Sequence, residues 1–386
     1  MMRRDEGRGM RDEGREGGQP VDASSLIAHP SSLMDERFTL IGLPAESRRA
    51  QFAQDVAKGL TDSPKSLPCC YFYDRLGSLL FEAICEVPEY YLTRAETAIL
   101  QTHAEEIAAL FPGATDLIEL GSGSAAKTRL LIEAFLRRHP RQRYVPLDIC
   151  RTVLEESSLD LLATFPALEI LAIAAEYQEG LKHLQTLSAG EDSRQWRSAA
   201  AVLPTATATA DSQRAPNKLI LWLGSNIGNL ERTQAAGFLA QLRQFLAPSD
   251  RLLIGIDLRK DRAALLAAYN DACGVTAAFN RNLLLRINRE LGGQFDPSTF
   301  EHRARYDEEL GRIEMHLISA ASQKVPIERL GITVSLQAGE AIHTENCYKY
   351  SQKEIEGLAA TAGLCCEKFW LDPERRFAVT LFKASP

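Results

Sequence analysis

Short, uninterrupted apolar segments alternate with amphipathic ones from about residue 95 to 259, and this alternation constrains the fold more than any other feature of the chain. Asp116-Leu117-Ile118-Glu119-Leu120, Tyr144-Val145-Pro146-Leu147-Asp148, Leu219-Ile220-Leu221-Trp222-Leu223 and Leu252-Leu253-Ile254-Gly255-Ile256-Asp257 read as strands. They are runs rather than alternations, so each expects cover on both faces. Helix-period segments follow them, one from about Ala125 through Leu131 and Phe135, another through Phe238, Leu242 and Leu246. Buried strands joined by helices imply an α/β fold, a mostly parallel sheet with helices on both faces. Residues 368–371 and 377–382 read as two closing strands. Thr93-Arg94-Ala95-Glu96 has capping-box spacing and predicts a helix start that runs to about Leu110, before Pro112-Gly113.

Outside this core the pattern changes. Arg4-Asp5-Glu6-Gly7-Arg8 recurs as Arg11-Asp12-Glu13-Gly14-Arg15, a charged repeat that cannot bury apolar surface. Residues 1–35 are therefore expected to be a disordered tail. Residues 187–217, with Ala-Thr-Ala-Thr-Ala and Ala-Pro-Asn, read as a long surface loop. Between about 258 and 350 the alternation is less regular, as for an inserted region.

Composition excludes several classes. A net charge of −7, from 51 acids against 44 bases, argues against a nucleic-acid partner. No apolar run approaches the roughly 18 residues that span a bilayer, and the N-terminus has no apolar stretch of signal type. The eight cysteines lack zinc spacing and do not form a disulfide framework, which points to a reducing cytoplasm. His302, His316 and His343 share no ligand spacing, so no metal is expected.

The chemistry is concentrated at Glu119-Leu120-Gly121-Ser122-Gly123, where a strand turns into a helix. Glycines there let backbone approach a ligand closely, and Asp148, ending the next strand, can take both hydroxyls of a ribose. Strand, loop, helix and acid together indicate a nucleoside cofactor. Ala126 would complete a dinucleotide pattern, whereas Glu119 just ahead of the glycines is more typical of S-adenosylmethionine enzymes. The local residues leave that choice open.

Longer blocks carry a resemblance. Tyr71-Phe72-Tyr73-Asp74, Pro88-Glu89-Tyr90-Tyr91-Leu92-Thr93-Arg94, Leu223-Gly224-Ser225-Asn226-Ile227-Gly228-Asn229-Leu230, Ile313-Glu314-Met315 and Thr344-Glu345-Asn346-Cys347-Tyr348-Lys349-Tyr350 resemble the histidine-specific Nα-methyltransferases of ergothioneine biosynthesis. The resemblance covers about residues 63–381. It implies a Rossmann-like methyltransferase core (95–259 and 351–386) and a discontinuous α+β substrate-binding domain (48–94 and 260–350). It implies S-adenosylmethionine as methyl donor and free L-histidine as substrate, and the chain is expected to be a monomer. By the same resemblance Tyr90, Asn229 and Tyr269 hold the carboxylate and α-amino group, with Tyr73 and Gly224 as further amino contacts. Tyr73 and Asn229 would serve catalysis. Met315, Glu345 and Cys347 would surround the side chain. Gly121, Ser122, Gly123, Lys127 and Asp148 would hold the cofactor, with Glu176 and Tyr177 at its adenine end. Cys347 stands where the family usually has Ser, and Glu176-Tyr177 replaces an Asp-Phe pair.

These residue types suit the reaction. Methyl transfer to an amine is an in-line displacement, so positioning carries most of the acceleration. Tyr and Asn donate and accept without bringing full charge. Glu345 can accept from an imidazole N–H, and Asn229 can also cap the following helix. Another amino acid such as tryptophan, or cofactor binding without catalysis, are the competing readings. Glu345 with Met315 argues against an indole pocket, and no expected site residue is lost.

Overall fold

The computed structural model describes residues 36–42, 45–189 and 217–385. The expected tail lies outside the described residues. So does most of the expected 187–217 loop, although its first residues close a helix and Asn217 opens a strand.

The described residues from Arg37 onward form one compact unit. Its centre is an eight-stranded sheet in the order β1 (Phe38–Gly42), β5 (Leu168–Ala174), β4 (Gln142–Asp148), β3 (Thr115–Leu120), β6 (Asn217–Trp222), β7 (Arg251–Asp257), β14 (Phe377–Ala384) and β13 (Leu364–Leu371). The first six run parallel, and β14 and β13 are antiparallel. The sheet core is the expected α/β, Rossmann-like arrangement. Its apolar runs are explained by cover on both faces. Leu117, Leu219 and Leu221 pack into one cluster of buried side chains, while Ile118, Ile220 and Trp222 point into the other.

Helices α1 (Ala45–Thr61), α2 (Arg75–Glu86), α3 (Tyr91–Ala109), α4 (Thr128–Arg138), α5 (Arg151–Thr164), α6 (Tyr177–Ala189), α7 (Arg232–Phe245), α8 (Arg262–Ala268), α9 (Val275–Leu291) and α10 (Gln352–Thr361) complete the helical set among the described residues. The irregular 258–350 region supplies three strands of a four-stranded sheet, β12 (Ala341–Tyr348), β9 (Arg312–Ser319) and β8 (Phe300–Asp307), whose edge strand β2 (Lys65–Ser66) comes from the N-terminal side, and a ribbon of β10 (Gln323–Ile327) with β11 (Ile332–Leu336). Its Phe300, Ile313, Met315 and Leu317 share one core cluster with Leu117 and Leu219 of the large sheet.

Three sequence expectations need correction. The capping box at Thr93 does not form: α3 begins at Tyr91, its N-cap Tyr90 makes no side-chain cap bond, and Glu96 is fully buried instead. Asn229 does not cap the next helix. Glu231 does, in a capping box with Gln234. The closing hairpin is longer than expected, because β13 begins at Leu364. β1 was not legible at all. It extends the parallel edge beside β5, and the Arg37 guanidinium anchors it by donating to the carbonyls of Leu162, Phe165 and Pro166.

Candidate active site

Strand order reverses between β3 and β6, since β4 lies on one side of β3 and β6 on the other. In an open α/β sheet, ligands bind in the crevice beyond the carboxyl ends of such a pair. Gly121 and Gly123 follow β3 with φ of +73° and +49°. A Cβ at Gly121 would sit 2.5 Å from the Tyr177 hydroxyl, so backbone alone fits there. The Gly123 N–H donates to Asp148 at 2.9 Å and the Cys150 N–H donates to its other oxygen at 2.8 Å. Burial raises the Asp148 carboxyl above its ordinary pKa, against the pull of these backbone donors.

A cleft of about 540 Å³ opens here. Gly121, Ser122, Gly123, Lys127, Asp148, Glu176 and Tyr177, the expected cofactor residues, all line it. The glycine cradle, the acid at the end of β4 and the cleft's size together fit a nucleoside-bearing sulfonium donor. Glu119 proves to be a structural acid: Thr128 donates to it at 2.6 Å, Tyr144 donates to its other oxygen, and burial pushes it to about 7. Lys127 reaches the cleft wall, but its ammonium is ion-paired with Glu96.

Sequence reasoning missed Glu96. Its carboxylate accepts the Gly224 N–H at 2.9 and 3.0 Å and holds Lys127, so one buried acid ties α3 to both glycine turns. The room for it is made by Gly255 on β7, where a Cβ would overlap the carboxylate. A helix-interior Glu carries no sequence sign that it faces inward to a lysine, which is why the capping spacing misled.

A second, inner pocket adjoins the cleft. Tyr73, Tyr90, Gly224, Asn229, Tyr269, Met315, Glu345 and Cys347, the expected substrate residues, all line it. Phe81, Ile84 and Phe279, not foreseen, add an apolar wall. The residues come from distant elements. Tyr73 follows a 3-10 turn, Tyr90 precedes α3, Tyr269 closes α8 and Asn229 ends the turn after β6. Met315 lies on β9, and Glu345 and Cys347 lie on β12, two apart and so on one face. The two cavities share Tyr73, Phe81, Gly224, Asn226 and Asn229.

Among the described residues, the hydroxyls of Tyr73 and Tyr90, the Asn229 amide and the Glu345 carboxylate have no hydrogen-bond partner in the protein. Glu345 is only 8% exposed. Burial pushes its carboxyl up to about 7, with the Lys349 charge pulling the other way. Tyr269 differs, because its hydroxyl lies 2.8 Å from Cys347 Sγ and accepts from Lys349 at 2.7 Å. Among the described residues no group of three or more His, Cys, Asp or Glu side chains is arranged to hold a metal ion.

Comparison with known proteins agrees with this geometry. The sequence profile of histidine-specific, SAM-dependent methyltransferases matches residues 52–384. The chain is 38% identical over 339 residues to the histidine N-alpha-methyltransferase of Mycolicibacterium smegmatis, covering 88% of this chain and 97% of that one. It is likewise 38% identical over 328 residues to the histidine N-alpha-methyltransferase of Mycobacterium tuberculosis, covering 85% and 93%. Ergothioneine biosynthesis protein 1 of Neurospora crassa is 34% identical over 312 residues, which are 78% of this chain and 31% of the longer protein. A profile that runs nearly from end to end of the described core, and relatives matched along almost their whole length, show that the chain belongs to the histidine-specific, S-adenosylmethionine-dependent methyltransferases.

Proposed function

We propose that the chain methylates the α-amino nitrogen of L-histidine three times, giving hercynine, the first step of ergothioneine biosynthesis. The observation that carries this reading is the convergence of four partnerless polar side chains, Tyr73, Tyr90, Asn229 and Glu345, on one pocket that abuts the glycine-lined cleft. Tyr90 and Glu345 are buried, and a buried polar group without a partner is costly, so a polar ligand that satisfies them is favoured.

S-adenosylmethionine, when bound, supplies an electrophilic methyl group. Gly121, Ser122, Gly123 and Asp148 would hold it, Asp148 through the ribose hydroxyls, with Lys127 at the wall and Glu176 and Tyr177 at the adenine end. On the substrate side Tyr90, Asn229 and Tyr269 fix the carboxylate and the amino group, and Tyr73 with Gly224 adds contacts to the amine. These groups aim the nitrogen lone pair at the wall the two cavities share. That placement is the main catalytic contribution, because a displacement at carbon needs alignment more than covalent help. The aromatic rings also favour the cation that accumulates as methyl groups are added. Glu345 accepts from the imidazole N–H and Met315 packs on the ring.

In the domain reading, residues 48–94 and 260–350 form the substrate part and 95–259 with 351–386 the methyltransferase part. The chain acts as a monomer on a free amino acid, without nucleic acid. Its eight unpaired cysteines suit a reducing cytoplasm. Among the described residues no helix is long and apolar enough to cross a membrane. Mass spectrometry after mixing the protein with S-adenosylmethionine and each amino acid tests the function. Up to three methyl groups on the α-nitrogen of histidine are expected. Gain on the imidazole, or reaction of tryptophan without histidine, would refute it.

A further inference from the structure

We propose that Lys349 is a positioning residue for the substrate carboxylate: it compels the Tyr269 oxygen to act as an acceptor toward the protein, which leaves the phenolic proton for the ligand. The inference rests on the reading of the inner pocket as an α-amino-acid site.

Lys349 is fully buried immediately after β12. Its ammonium has three partners: Asp257 Oδ2 at 2.7 Å, Tyr269 Oη at 2.7 Å and Cys347 Sγ at 3.2 Å. An ammonium carries three N–H groups and no acceptor, so all three are committed and none is left for a ligand. Tyr269 must therefore accept from Lys349. Its single proton has two destinations, Cys347 Sγ at 2.8 Å or the pocket. Sulfur is a weak acceptor, whereas a carboxylate makes a shorter and stronger charge-assisted bond. When a carboxylate enters, the phenolic proton turns to it and the Cys347 S–H turns to the second lone pair of Tyr269. Every donor and acceptor stays matched.

The ammonium cannot swing away. Asp257 anchors it, and Asp257 itself accepts from Tyr91 at 2.8 and 2.9 Å and pairs with Lys260. Burial lowers the Lys349 pKa, but Asp257 and Cys347 together raise it above its ordinary value, so the cation persists through neutral pH. The positive charge, 4.6 Å from the centre of the Tyr269 ring, also polarises the phenol toward donation.

The test compares histidine with histamine, which lacks only the carboxylate, by calorimetry on wild type, Lys349→Met, Tyr269→Phe and the double variant. Lys349→Met is expected to weaken histidine tenfold or more and to change histamine by less than threefold, with S-adenosylmethionine affinity kept. The double variant should be no worse than Tyr269→Phe, because Lys349 acts through that hydroxyl. Equal losses for histidine and histamine, or additive losses in the double variant, would overturn the proposal. If Lys349→Met does not fold, Lys349→Gln/Asp257→Asn removes both charges together, and the same two criteria decide. Should the substrate be another amino acid, its own decarboxylated amine replaces histamine. A wild-type protein that prefers no amino acid to its amine would remove the functional reading and this proposal with it.

Discussion

Glu345 and Met315 face each other directly across the antiparallel ladder of β12 and β9. An irregularity between His343 and Glu345 sets this register. One cross-strand pair thus supplies a charged acceptor and an apolar wall, and their spacing is fixed by backbone hydrogen bonds rather than by a loop. Glu345→Ala is therefore expected to weaken histidine binding by tenfold or more, in line with the roughly 1.5–3 kcal/mol of a hydrogen bond to a charged group. Calorimetric titration checks this, and an unchanged dissociation constant would falsify the assignment.

Glu345 also makes stability depend on pH. Its folded pKa of about 7 lies above the ordinary 4.5, so the folded state binds the proton more tightly than the unfolded chain does. Its contribution to stability is greatest below pH 4.5, declines as pH rises through 7, and is level above that. Glu345→Gln, which cannot ionise, should gain stability relative to wild type between pH 5 and pH 8. Denaturant melts at both pH values measure the difference, and a gain that is the same at both would count against a buried, unpartnered acid.

Cys347 accepts from Lys349 and adjoins Tyr269, so a hydroxyl in its place keeps both contacts. Cys347→Ser should leave histidine affinity unchanged or tighten it a few-fold. Cys347→Ala leaves one buried N–H of Lys349 without an acceptor and should cost about 1–3 kcal/mol of stability. Melting curves and histidine titrations on the two variants separate these effects. A large loss of histidine affinity in Cys347→Ser contradicts the arrangement.

At the cleft, Asp148→Ala should weaken S-adenosylmethionine by tenfold or more and histidine much less, since Asp148 lines the cleft and not the inner pocket. Titration with each ligand separately decides. Equal weakening of both would show that Asp148 serves the fold alone.

Glu96→Ala should impair both ligands together, because it releases Lys127 on the cleft wall and Gly224 on the shared wall. The same pair of titrations, with a melting curve to confirm folding, tests this. Loss confined to one ligand would contradict the bridge.

The parallel sheet was legible because strands such as 116–120 and 252–257 are covered on both faces and must be apolar throughout. The glycine turn and Asp148 were legible because only glycine tolerates that backbone beside Tyr177. The second sheet was harder to read. Phe300–Asp307 carries Glu301, Arg303 and Arg305 on its open face, which dilutes the apolar signal to alternate positions. β1 is short and half exposed, and its pairing with β5 spans the chain in a way no local period records. Substrate residues were reached through the long matching blocks, since Tyr73, Tyr90 and Tyr269 taken singly look like core aromatics. Glu96, Asp257 and Lys349 escaped, because a buried charge is distinguished only by a partner far away in sequence.

Gly255 lies in the middle of β7, where a glycine ordinarily weakens a strand. Its missing side chain is the space that the Glu96 carboxylate occupies. The two positions are therefore one unit of inheritance: a lineage that gains a side chain at 255 has to shorten or lose the acid at 96. Aligned descendants should show the pair changing together or not at all, a covariation far from any ligand atom and readable without an assay.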